Sequence, residues 1–201
     1  MKNIKRLFVL ALALVLIPTG VFAKGKDTTK YYKDYNYTNL TQTLDAEEIE
    51  YSLDDYKETS DQVTIYMFRG QGCSHCREFL EFIKGAAEEY GKYFKLVAFE
   101  TWQDTNNSTL MQDVATYLGQ EASGVPFIII GEQTYSGYAE EYNESMLETI
   151  MNEYDKKPED RYDVLEKMNN KPNHDLVVGI GAVILIGGIV AATIVTRRNN
   201  K

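Results

Sequence analysis

The stretch Val63-Thr64-Ile65-Tyr66-Met67-Phe68-Arg69-Gly70-Gln71-Gly72-Cys73-Ser74-His75-Cys76 holds the only two cysteines of a 201-residue chain. Its first six residues are a near-continuous run of β-branched, aromatic and apolar side chains. Such a run predicts a strand buried on both faces. Arg69 to Gly72 reads as a loop. A helix is predicted from at or just before Cys73 to about Tyr90, with Phe79, Phe82, Ile83, Ala86, Ala87 and Tyr90 as its apolar stripe and Gly91 at its end. Two lone thiols separated by two residues cannot staple a small fold. They can close on each other at a helix start, and they can exchange with a disulfide on another molecule.

The position at a helix start gives this pair its chemistry. The first turn of a helix leaves backbone N–H groups unpaired, and the helix dipole adds partial positive charge there. Cys73 is thereby expected to ionise more readily than a free cysteine, and the thiolate is the attacking species. Cys76, one turn inward, is placed to resolve the mixed disulfide that Cys73 forms with a substrate. A proton on His75 puts positive charge near the Cys73 sulfur and favours an oxidising or isomerising poise. Two other readings compete. Zinc needs about four ligands, and beyond Cys73, Cys76 and His75 the chain offers only His174, far along the sequence. A purely structural disulfide closes a ring too small to constrain much chain. No cofactor and no metal are expected.

Downstream, Lys95 to Glu100 reads as a second central strand and Asp104 to Ser108 as a turn-rich loop. Thr109 to Leu118 reads as an amphipathic helix with Leu110, Val114, Tyr117 and Leu118 inward. Gly124-Val125-Pro126 introduces an apolar strand, Phe127 to Ile130. Gly131-Glu132 supplies a two-residue hairpin turn into a returning strand, Gln133 to Tyr138. Ser145 to Tyr154 reads as the closing helix. Upstream, Asp45 to Lys57 reads as a helix capped by Asp45, with an edge strand among the last residues of 24–41. Strand, helix, strand, helix, hairpin and helix in that order give an α/β domain with a mixed sheet flanked by helices.

The ends of the chain carry different signals. Lys2, Lys5 and Arg6 precede the apolar run Leu7 to Ile17, and Val21-Phe22-Ala23 offers small residues for cleavage. Residues 1–23 therefore read as a signal peptide. The apolar run is short for a bilayer, so cleavage is expected over an uncleaved anchor. Residues 176–195 are uncharged and apolar, about the length of one membrane helix. Gly188 and Ala192 have small-xxx-small spacing, which fits helix pairing or ordinary glycine use equally. Arg197, Arg198 and Lys201 form a basic tail, 196–201, expected on the cytoplasmic side. The remaining segments are an N-terminal tether, 24–36, and a charged stalk, 155–175. The expected location is the cell membrane, single-pass, with the main domain outside. A bacterial chain fits the short leader, and a type I protein of the endoplasmic reticulum has a similar layout. The sequons at Asn36, Asn39, Asn106, Asn107 and Asn143 matter only in the second case. All 30 acidic residues fall between leader and span, against 15 of the 21 basic ones, a formal balance of −15. That charge argues against nucleic acid and against adsorption to anionic lipid. Outside the cytoplasm disulfides persist.

The strand 63–68, the motif Cys73-Ser74-His75-Cys76 and Val125-Pro126 before the strand 127–130 together resemble the thioredoxin superfamily over about residues 37–154. The histidine at the third motif position is similar to the pattern of protein disulfide isomerases and bacterial DsbA-type oxidases. The segment from Val63 through the motif also looks like thioredoxin-like bacteriocin-transport accessory proteins. The resemblance implies a thioredoxin-like domain with a cis-proline at Pro126 opposite the cysteine pair. It also implies that the backbone of Val125 binds extended substrate chain. The chain departs from the family in two places. Met67 stands where many thioredoxins carry a buried acid, which leaves water, the Cys73 thiolate or another carboxylate such as Glu100 to take the Cys76 proton. Gln71-Gly72 stands where the family has a tryptophan before the pair.

The leading expectation is an extracytoplasmic, membrane-tethered thiol–disulfide oxidoreductase. Its partners are the thiols and disulfides of exported proteins, a redox partner protein and, through 176–195, the membrane. The alternative is a non-catalytic thioredoxin-like module that holds a client or export partner.

Overall fold

The computed structural model describes residues 25–170. The expected signal peptide 1–23, membrane span 176–195 and basic tail 196–201 lie outside the described residues, as do Lys24 of the tether and 171–175 of the stalk. In chain order the elements are β1 (Tyr37–Thr38), α1 (Leu40–Ala46), β2 (Val63–Arg69), α2 (Ser74–Tyr90), β3 (Phe94–Glu100), α3 (Thr105–Tyr117), β4 (Phe127–Ile130), β5 (Gln133–Ser136), α4 (Asn143–Tyr154) and α5 (Val164–Asn169). Among the described residues, no helix is long and apolar enough to cross a membrane.

The five strands form one mixed sheet in the order β1-β3-β2-β4-β5. β2 runs parallel to β3 and antiparallel to β4, and β1 and β5 add antiparallel edges. The expected α/β class with a mixed sheet flanked by helices is observed. Alternation along each strand separates two cores. Ile65, Met67, Leu96, Ala98, Ile128 and Ile130 face Phe79, Leu80 and Ile83 of α2, Leu40 and Leu44 of α1, and Met146 and Ile150 of α4. Tyr66, Phe68, Val97, Phe99, Phe127 and Ile129 face Leu110, Met111 and Val114 of α3 and Val164 and Leu165 of α5. Both faces of the central strands are covered, which is why β2 and β3 read as largely apolar runs and β4 as an unbroken one.

Three expectations are corrected. The first helix spans Leu40–Ala46, not Asp45 to Lys57. Asn39 caps it, its side chain accepting from the Gln42 amide at 2.9 Å while Gln42 Oε1 accepts from the Asn39 amide at 3.0 Å. This reciprocal box outcompetes Asp45 as a start signal, and Glu48, at φ 52°, turns the chain away beyond it. The segment Asp104 to Ser108 is not a loop. Asp104 Oδ1 accepts from the Asn107 amide at 3.1 Å, and the helix begins at Thr105. Its Asn and Ser residues resemble a turn because the same side chains serve caps and turns.

The third correction concerns the segments flanking the expected domain. The described part of the tether contributes Tyr32 to the core, edge-on to Tyr37, Tyr66 and Phe99. The described part of the stalk folds back, with Val164 and Leu165 fully buried. Asp163 caps α5 through the Glu166 amide at 2.9 Å and accepts the Tyr66 hydroxyl at 2.7 Å. Arg161 donates to the Glu153 and Tyr154 carbonyls and lies over the Tyr154 ring. Lys26 pairs with Glu166 across the two segments. An apolar pair inside a charged stretch is too short to show a helical period, and only the partner face explains its burial.

Candidate functional site

β2 delivers the chain to the end of the sheet at Arg69, and Gly70-Gln71-Gly72 turns it into α2. Gly72 sits at φ 76°, a backbone conformation open to glycine without strain. The Cys73 amide closes the turn on the Gly70 carbonyl at 3.2 Å. Cys73 is the N-cap residue of α2: its backbone is extended, its carbonyl accepts from the Arg77 amide, and its Sγ accepts from the Cys76 amide at 3.2 Å. A sulfur occupies the position normally taken by a Ser or Asp oxygen, so negative charge on Cys73 meets a backbone N–H and the positive helix end.

Cys73 and Cys76 are joined as a disulfide with α-carbons 5.2 Å apart. The two sulfurs are not equivalent. Cys73 retains 8 % of its surface and Cys76 only 1 %, so Cys73 is the less enclosed of the two. Val125 stands beside the pair, its carbonyl oxygen 3.7 Å from Cys73 Sγ. The Val125–Pro126 bond is cis, as the resemblance implies. The Pro126 carbonyl accepts from the Gly137 amide at 2.8 Å. Next in the chain, Tyr138 packs on Phe79 and Phe82 and donates to Asn143 Oδ1 at 2.8 Å. Burial raises the Tyr138 phenol above its ordinary pKa and keeps it a neutral donor.

Cys73, Cys76, Val125 and Pro126 are thus brought together. His75 lies in the same first turn, but its exposed ring meets Glu78, with Nδ1 3.0 Å from Oε2. Any charge on the imidazole is therefore shared with a carboxylate. Met67 is fully buried in the sheet between Ala98 and Ile128, in the same apolar cluster as both cysteines. The Glu100 carboxylate is occupied by the amides of Gln71, Trp102 and Gln103 at 3.3, 3.0 and 2.8 Å. It organises two loops rather than standing free as a proton acceptor.

Two features were missed in the sequence. Glu47, at the end of α1, forms a buried ion pair with Arg69. Its other oxygen accepts from the Gly72 amide at 3.4 Å, and its carbonyl accepts from Arg77 at 2.6 Å. It therefore touches the chain on both sides of the cysteines. The available signal was a charged residue continuing a largely apolar strand, which calls for a buried partner. The second feature is Trp102, which lies over Gly70. Among the described residues, no group of three or more His, Cys, Asp or Glu side chains is arranged to hold a metal ion.

Comparison of the chain with protein-family models, curated proteins and solved structures found no match in any of the three. The mixed five-stranded sheet with flanking helices and the bonded Cys73–Cys76 pair are compatible with a thioredoxin-like fold.

Proposed function

We propose that this chain is a thioredoxin-like thiol–disulfide oxidoreductase, held outside the cell membrane by its C-terminal span and acting on exported proteins. The observation that carries the reading is the unequal environment of the two cysteines: Cys73 caps a helix and is the less enclosed, while Cys76 is almost wholly buried one turn inward.

In the oxidised form, a substrate thiolate attacks Cys73 Sγ. The Cys73–Cys76 bond breaks, and Cys76 leaves with the electron pair and takes a proton from water. A second substrate thiolate then attacks the substrate sulfur of the mixed disulfide and releases Cys73 as a thiolate. Two electrons have passed to the protein and one disulfide to the substrate. In reverse, the Cys73 thiolate attacks a substrate disulfide, and Cys76 displaces the substrate. A partner dithiol or disulfide resets the pair, and the relative potentials set the direction.

The experiment is disulfide trapping with the full chain. Cys76→Ser, reduced and mixed with a disulfide-bonded protein such as insulin, accumulates a mixed disulfide through Cys73 that dithiothreitol dissolves. Cys73→Ser forms none and loses insulin reduction. Undiminished turnover by Cys73→Ser removes the assignment. Client association that survives Cys73→Ser in a protein that never turns over points to the holding module instead. An impermeant thiol reagent that labels reduced Cys73 on intact cells supports the expected orientation, and labelling only after lysis contradicts it.

A further inference from the structure

Trp102 is the chain's one tryptophan, and 62 % of its surface is exposed, far more than any other large apolar residue described. The side chain is nevertheless held in place. Its own amide and that of Gln103 both donate to the Glu100 carboxylate, which also receives the Gln71 amide from the cysteine loop. Gln103 Nε2 donates to Gln71 Oε1 at 3.0 Å and ties the two loops a second time. One face of the indole lies on Gly70, where a Cβ would overlap ring atoms Cδ2, Cε2 and Cε3. The ring is therefore pre-ordered, with one face on backbone and the other open to water.

Its place in the sheet gives this face a purpose. β2 and β3 are parallel, with Arg69 beside Glu100, and β4 is antiparallel to β2, with Phe127 beside Phe68. The ends of β2 and β3 and the start of β4 therefore lie on one edge of the sheet. Val125, the Cys73 loop and Trp102 follow one another along that edge, with the reactive pair in the middle. Neighbouring strands are about 4.8 Å apart and an extended chain rises about 3.3 Å per residue. An extended polypeptide that reaches from Val125 past Cys73 thus arrives over Trp102 within about three residues of its own cysteine. The Gln71 and Gln103 side chains that join the two loops are uncharged, and the carboxylate between those loops, Glu100, is taken up by three backbone amides, which favours an apolar side chain over an ion.

We propose that Trp102 is a specificity platform. It receives an aromatic or large aliphatic side chain of an extended, cysteine-containing polypeptide, within about three residues of the reacting cysteine and on the side of Cys73 away from Val125. An unfolded or partly folded protein exposes such a side chain next to a reactive cysteine, and a native one buries it. The inference rests on the reading that Cys73 exchanges with substrate sulfur.

The test uses the reduced full chain and two peptides with one cysteine each, carried as a mixed disulfide with glutathione. The peptides differ only in phenylalanine or glycine two residues from the cysteine. Wild-type protein is expected to react with the phenylalanine peptide about tenfold faster, the range of one well-placed aromatic contact. Trp102→Ala brings the ratio close to one, and Trp102→Phe keeps most of it. A ratio that survives Trp102→Ala overturns the platform. A second measurement needs no exchange: serine analogues of both peptides are titrated while the fluorescence of the sole tryptophan is read. A saturable blue shift with the phenylalanine analogue and none with the glycine analogue supports the platform, even if no disulfide is exchanged and the oxidoreductase reading falls. Equal exchange with both peptides and no shift removes the platform and leaves the oxidoreductase intact.

Discussion

At the scale of single residues, the Glu47–Arg69 pair carries the largest electrostatic stake near the cysteines. Both side chains are buried, and each is the other's counter-ion. Removing one partner leaves a charge without solvent, and such deletions cost about 3–5 kcal/mol. Glu47→Ala is accordingly expected to lose about that much stability in urea unfolding, and adding Arg69→Met should recover much of it. A loss below about 1 kcal/mol, the range of an exposed pair, contradicts the burial argument. The placing of Cys73, Cys76 and His75 at one helix start was legible because it depends on spacing within one helical turn. Val125 and Pro126 were legible through the resemblance. Glu47 and Trp102 were not, because their partners Arg69 and Gly70 lie 22 and 32 positions away in sequence, and no local pattern marks them.

At the scale of elements, the strands were read nearly to the residue, while the starts of α1 and α3 were not. A strand buried on both faces declares itself by composition. A helix start depends on which of several polar residues wins the cap, and Asn39 and Asp104 both did so against the sequence reading. The cap of α5 makes a pH prediction. Burial raises the pKa of Asp163 above its ordinary value, partly offset by bonds from the Glu166 amide and the Tyr66 hydroxyl. Its folded pKa therefore exceeds its unfolded one, and the folded state binds more protons in the window between them. Stability from this group is greatest below the ordinary value near 3.8 and falls as pH rises through the raised value. Glu58 is shifted in the same direction, again chiefly by burial. Asp163→Asn keeps an acceptor for the Glu166 amide and cannot ionise, so it should flatten this fall. Denaturation midpoints measured from pH 3 to pH 8 check it. A mutant curve parallel to wild type places the pH dependence elsewhere.

At the scale of the whole molecule, the folded body is larger than the segment that carries the resemblance. Val164 and Leu165 complete the core on the α3 face, and Tyr32 closes it from the other end of the chain. Two fully buried aliphatic side chains contribute about 1.5–3 kcal/mol each. A chain truncated after Tyr154 is therefore expected to melt roughly 10 °C or more below one that continues to Asn170. Equal melting temperatures contradict the docking of α5. The sequence by itself determined the strands, the mixed α/β class and the placing of two thiols at a helix start. Those properties are written in composition and spacing over a few residues, where each side chain's preference acts on its own neighbourhood. Only the tertiary structure decided that Glu47 supports the cysteine loop, that Trp102 stands across Cys73 from Val125, and that the described part of the expected stalk packs on the core. Each of these joins residues distant in sequence, and which distant residues meet is set when the two faces of the sheet are covered.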